Sequence, residues 1–145
     1  MNDTGFEFLD HTSDVYVRAY NKTLEGAFEQ TAYSLMTTIT PNLKVILPIH
    51  ERSIEIKAED KESLLFDFLS EFLFIFDVEE LIFSSIKIHY IKKVENSFVL
   101  KSLLKGEKFS KKKHEIGTEV KAVTYNMMEI REKKEQVEIY IVFDI

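Results

Sequence analysis

The sequence predicts an α+β fold in which two helices pack on a largely antiparallel, multi-stranded sheet. Three observations predict it. Val15, Val17 and Ala19, and again Ile54, Ile56 and Ala58, alternate with more polar neighbours at the period of a half-buried strand. Leu24, Ala27, Phe28, Leu35 and Ile39, and later Leu64, Leu65, Phe68, Leu69, Phe72 and Leu73, recur at helical spacing. Beyond residue 80, strand-like segments follow one another with turn signals between them and no further helical stripe.

Element by element, Phe6 to Leu9 reads as a short strand and Val15 to Tyr20 as a second. Asn21-Lys22 turns the chain. Thr23 is a good N-cap, because a hydroxyl there accepts a hydrogen bond from an otherwise unpartnered N–H of the first turn. The helix it opens ends at Pro41. Residues 40–51 form a loop holding both prolines, Pro41 and Pro48, before the Ile54–Ala58 strand. Asp60 caps the second helix, with Ser63, Asp67, Ser70 and Glu71 on the stripe opposite its apolar one. Its last turn, Phe72 to Phe76, is apolar all round, so other structure is expected to cover it. Leu81 to Ile91 is a long strand or strand pair, and Glu95-Asn96-Ser97 a turn. Phe98 to Leu104 is a strand ended by Gly106, followed by a polar loop over 107–118. Val120 to Met128 is the next strand, Glu132 to Glu135 a charged hairpin turn, and Val137 to Phe143 the last strand.

Composition narrows the function classes. The 145 residues are 45% hydrophobic and include 12 Phe, four Gly and two Pro, which suits one domain over 1–145 and excludes a disordered or linker-rich chain. Cysteine is absent, so disulfides, thiol nucleophiles, Cys-based zinc sites and iron–sulfur clusters are excluded. No segment reads as a signal peptide or as the ~20-residue apolar run of a membrane helix, so a cytoplasmic, membrane-free protein is expected. The net charge of −6 argues against unaided nucleic-acid binding, which relies on basic side chains to displace counterions. The same acids suit a hard cation, which prefers carboxylate oxygens.

Candidate chemistry gathers in three places. Asp10-His11-Thr12-Ser13-Asp14 sets two acids and a His between strands; the simpler reading is a turn whose Asp and Thr side chains satisfy backbone N–H groups. At Phe143-Asp144-Ile145 the last strand reaches the end of the sequence, with Asp144 beside a main-chain carboxylate. Two such anions at 4 Å repel by roughly 4 kcal/mol at an effective dielectric of about 20, which a lysine, an arginine or a cation relieves; the simpler reading is a frayed end in water. Lys121 shares a strand face with Val123 and Tyr125 and sits either among buried groups or on the surface. Asp67 and Glu71, at i, i+4, read as a solvated helix face, and Lys111-Lys112-Lys113 as a solvated loop. His50, His89 and His114 show no zinc-ligand spacing, and no phosphate loop or nucleophile elbow is present.

Read together, these segments resemble the archease family. The resemblance lies in Phe8-Leu9-Asp10-His11-Thr12-Ser13-Asp14-Val15, in Ser63-Leu64-Leu65 through Leu69-Ser70-Glu71-Phe72-Leu73-Phe74-Ile75-Phe76-Asp77, in His114-Glu115-Ile116-Gly117-Thr118-Glu119-Val120-Lys121-Ala122-Val123-Thr124-Tyr125, and in the terminal Phe143-Asp144-Ile145. These four motifs stand in the family's order and span nearly the whole chain. Ser13 stands where Ala is usual, and Asn126 where the family commonly has His after Thr-Tyr.

The resemblance implies a strand–helix–strand–strand core with added strands. It implies a small cytosolic cofactor, not itself an enzyme, of the RtcB-type, GTP-dependent RNA ligase that joins tRNA exon halves. Such a cofactor promotes guanylylation of a ligase histidine and repeated turnover. It also implies a metal site, carried over onto Asp14, Asp144 and the main-chain carboxylate of Ile145. An all-oxygen set of that kind selects Ca²⁺, or else Mg²⁺ or Mn²⁺, over zinc. Lys121, in the matching strand motif, is expected to engage the ligase or its nucleotide phosphates, as a compact cation can. The expected partner is the ligase, by complementary charge, with no direct nucleic-acid contact. Two alternatives of other classes are a metal-dependent phosphoesterase using the same acids, and a chaperone-like binding module using apolar surface near Phe72 to Phe76.

Overall fold

A computed structural model describes residues 3–10 and 13–145. Two α-helices and eight strands lie among them, and the expected sheet resolves into two antiparallel sheets. The first is built from β1 (Gly5–Leu9), β2 (Val15–Asn21), β8 (Val137–Asp144) and β6 (Ala122–Val123) in that order, with β7 (Glu129–Glu132) also paired to β8. The second has β5 (Ser97–Lys108) between β3 (His50–Ala58) and β4 (Leu81–Val94).

Helix α1 (Leu24–Ile39) touches both sheets, and no residue along it is exposed. Thr23 caps it as its hydroxyl predicts, accepting from the Gly26 N–H at 3.0 Å. Helix α2 (Lys61–Glu79) is capped by Asp60, which accepts from the Ser63 N–H at 2.7 Å, and it ends at Glu80 in the left-handed region, φ 58°. The core joins the two sheets through these helices. Phe28, Phe68, Phe72 and Phe83 form a chain of ring contacts with centroids 5.1–6.4 Å apart. Val17, Ile139, Ile141 and Phe143 close it from the first sheet, all fully buried. Each such side chain contributes roughly 1.5–3 kcal/mol when taken out of water.

Four expectations change. The loop over 40–51 contains a 3₁₀ turn at Leu43–Val45 and gives way to β3 at His50. Gly106 does not end its strand: β5 runs through it to Lys108, and a Cβ there would lie 1.8 Å from the Ile82 carbonyl oxygen, so the glycine lets β4 approach. The last turn of α2 is covered on one side only. Phe72 and Ile75 are buried, whereas Phe74 is 59% exposed. The strand expected over Val120 to Met128 is interrupted. β6 spans only Ala122–Val123, a turn at Tyr125–Met128 with Met127 at φ 59° leaves the ladder, and β7 then resumes pairing with β8.

Candidate functional site

The sequence sets Asp14 and Asp144 far apart, and the first sheet brings them together. β2 pairs with β8 in antiparallel register from Asn21–Val137 to Val15–Phe143. Asp14 immediately precedes that last rung on β2, and Asp144 immediately follows it on β8. Strand alternation places Asp144: Phe143 points into the core, so Asp144 lies on the opposite face of β8 with Val142. Asp14 is half-buried and Asp144 exposed.

On the other side of β8, Ala122 pairs with Asp144, and the Lys121 N–H donates to the Asp144 carbonyl oxygen at 2.7 Å. Lys121 and Ile145 therefore stand at the same strand end as the two acids. Among the described residues, no hydrogen bond or ion pair holds the side chains of Asp14, Asp144 or Lys121. Lys121 is exposed, because β6 begins one residue later and the sheet does not enclose it. No cluster of three or more His, Asp or Glu side chains forms a metal site among the described residues. The set carried over from the family has only two acidic side chains, the third donor being a main-chain carboxylate. His11 and Thr12 of the first motif lie outside the described residues.

The third motif supplies the wall of the site. Its segment 115–118 docks on the C-terminal end of α1, whose last carbonyls lack helical partners. The N–H groups of Gly117 and Thr118 donate to Ile39 O at 2.9 Å and Thr38 O at 2.7 Å, and the Thr40 hydroxyl donates to Glu115 O at 2.8 Å. A Cβ on Gly117 would fall 2.2 Å from Thr38 O, so the close approach requires glycine. Gly117 and Thr118 line a shallow cleft of about 420 Å³ with Leu9, Asp14, Tyr16 and Thr37.

Sequence reasoning missed what holds this loop. Residues 107–118 read as polar and solvated, with His114 a scattered histidine, yet Glu107 and His114 are both buried. The Ser110 N–H donates to His114 Nδ1 at 2.9 Å, so Nε2 carries the hydrogen and donates to Glu107 Oε2, also at 2.9 Å. Lys113 Nζ lies 2.7 Å from the same oxygen, and the Leu47 N–H donates to it at 2.9 Å. Burial pushes the Glu107 carboxyl upward, but the hydrogen bonds from Lys113, Leu47 and His114 outweigh it and hold the group at about 2. Lys111 and Lys112 are exposed, as a solvated loop predicts. Asp67 and Glu71 make no hydrogen bond to each other and lie on the outer side of α2.

The fold defines a class: a two-sheet α+β protein with a helix that has no exposed residue packed against both sheets, and with Asp14 and Asp144 at the β2–β8 end of the first sheet. Residues 6–145 match the archease protein family (MTH1598/TM1083), and the chain belongs to that family. It is 36% identical over 140 residues to the protein archease of Methanosarcina mazei, covering 97% of this chain and 95% of that one. It is 38% identical over 141 residues to the protein archease of Danio rerio, covering 97% and 85%. The solution structure of Methanobacterium thermoautotrophicum protein 1598 superposes with a TM-score of 0.82 at 34% identity, over 97% of this chain and 99% of that one. The crystal structure of a Thermotoga maritima archease, titled a possible chaperone, shares the fold with a TM-score of 0.60 at 20% identity, over 96% of each chain.

Proposed function

We propose that this protein is a non-enzymatic cofactor of the RtcB-type, GTP-dependent RNA ligase, promoting ligase guanylylation and multiple turnover in tRNA splicing. Asp14, Asp144 and the main-chain carboxylate of Ile145 hold one divalent cation in this reading, and Lys121 meets the ligase or its nucleotide phosphates. Ca²⁺ is the first choice, with Mg²⁺ and Mn²⁺ as alternatives. The observation that supports the reading is the β2–β8 register: its last rung is Val15–Phe143, so Asp14 and Asp144 flank that rung, and neither side chain has an ion-pair partner among the described residues. An oxygen-only set that repels itself is a set a hard cation stabilises. The net charge of −6 suits a protein that assists an RNA enzyme without gripping RNA.

The test combines binding with activation. Ca²⁺, Mg²⁺ and Mn²⁺ are titrated calorimetrically into wild type, Asp14→Ala, Asp144→Ala and a variant with a short C-terminal extension, which turns the terminal carboxylate into a neutral amide. Each is then assayed with the cognate ligase, together with Lys121→Ala. Binding should weaken in the first three variants, and activation should fall in all four with the fold intact. Unchanged binding and activation in the folded acid and extended variants contradicts the site. Phosphoesterase turnover by the isolated protein would favour the enzyme reading instead.

A further inference from the structure

The other face of the 115–118 loop closes a second cavity. It lies between α2 and the loop, with Leu73, Phe76, Phe109 and Val120 as its apolar walls, and its volume is about 220 Å³. Clefts that hold small molecules run from about 300 to 1,000 Å³, so this one suits a single large side chain better than a cofactor. Asp77 and Glu119 line its mouth and make no ion pair among the described residues; Lys111 is the one cation lining it. Ile116, also lining it, is 65% exposed. From these observations we infer that the cavity is a docking socket for a protein partner, taking one aromatic or branched aliphatic side chain flanked by Lys or Arg.

Three features support that occupant. Unpaired acids around an apolar socket favour a basic surround, and a deep apolar anchor with a charged rim is how a few residues come to dominate an interface. The walls are held in place before binding: Phe109 meets Phe76 edge to face at 5.9 Å, stacks on His114 at 5.7 Å and donates its N–H to Glu80 O at 2.7 Å. A rigid wall spares the ordering cost of association. Gly117 and Thr118 line both this socket and the cleft beside Asp14, so a partner at the strand ends reaches the socket across one loop. The identity of the partner as the ligase rests on the function proposed above; the chemistry of the socket does not.

Two probes separate the two. Ligase binding is measured by calorimetry for wild type, Ile116→Asp and the double variant Asp77→Lys/Glu119→Lys, with thermal unfolding as the check on folding; all three positions are exposed, and their replacement should leave the fold intact. Ile116→Asp should weaken binding ~tenfold or more, and the double variant should weaken it most at low salt. Separately, the methyl resonances of Leu73, Ile116 and Val120 are followed as a lysine-rich peptide with one central Phe is added, against the same peptide with Ala. Shifts with the Phe peptide alone are expected. Equal ligase affinity in all three proteins, with no peptide-induced shifts, overturns the socket and leaves the ligase reading standing. Peptide shifts without any ligase binding by wild type overturn the ligase reading and leave the socket. A concentration-dependent dimer abolished by Ile116→Asp assigns the socket to a second copy and overturns the inference.

Discussion

At the scale of single residues, Glu107 carries more of the site than any acid read from the sequence as a ligand. It fastens Leu47, Lys113 and His114, and through His114 it fastens Phe109 and the loop that walls both cavities. Its carboxyl is held at about 2 in the fold against an ordinary value of 4.5, so its stabilisation is complete above pH 4.5 and is lost as pH falls toward 2. The lost share is roughly 3 kcal/mol at 1.36 kcal/mol per pH unit. Urea unfolding of wild type and Glu107→Gln at steps between pH 5 and pH 2 should show the wild type losing that much more than the variant over this window. Parallel stability curves would show that the carboxylate is not what ties the loop down. The role of Glu107 was not legible in the sequence, because a Glu and a His seven residues apart in a polar stretch look solvated until the loop folds back over them.

At the scale of elements, one of the second sheet's two edges, that of β4, is closed by side chains of α1. Glu25, Glu29 and Tyr33 stand one turn apart, and they accept from the backbone N–H groups of Ile91, Ile88 and Ile86 on β4. A register shift between Ile88 and Tyr90 moves the next outward N–H from 90 to 91 and keeps the three in step with the helix. Edge strands invite pairing with other chains, and this ladder removes the invitation. Glu29→Ala should cost roughly 1–3 kcal/mol and speed amide exchange at Ile88, while Glu29→Gln, which keeps an acceptor, should cost less. Exchange at Ile88 unchanged in Glu29→Ala would mean that water already serves that N–H. Both helices, their caps and most strands were legible, because apolar spacing reports burial directly. The split into two sheets was not, because strand order depends on pairings between distant segments. Nor was the break in the Val120 to Met128 strand, since alternation continues in the sequence while Met127 leaves the ladder.

At the scale of the whole molecule, the first sheet acts as the device that joins the two ends of the chain. Asp14 precedes β2 and Asp144 ends β8, and the pairing of those two strands brings the acids to the same end of the sheet. The sequence displayed the acids, and the family resemblance assigned them together, but their arrival at one end of the sheet needed the β2–β8 register. The third motif adds Lys121 at the same end through its backbone bond to Asp144. Among the described residues no helix is long and apolar enough to cross a membrane. The most direct measurement is the time course of guanylylation of the cognate ligase with GTP and divalent metal, with and without this protein. Ligase activation predicts faster guanylylation and more than one ligation per ligase molecule when the protein is present. Identical time courses, with a folded protein and an active ligase, would contradict it.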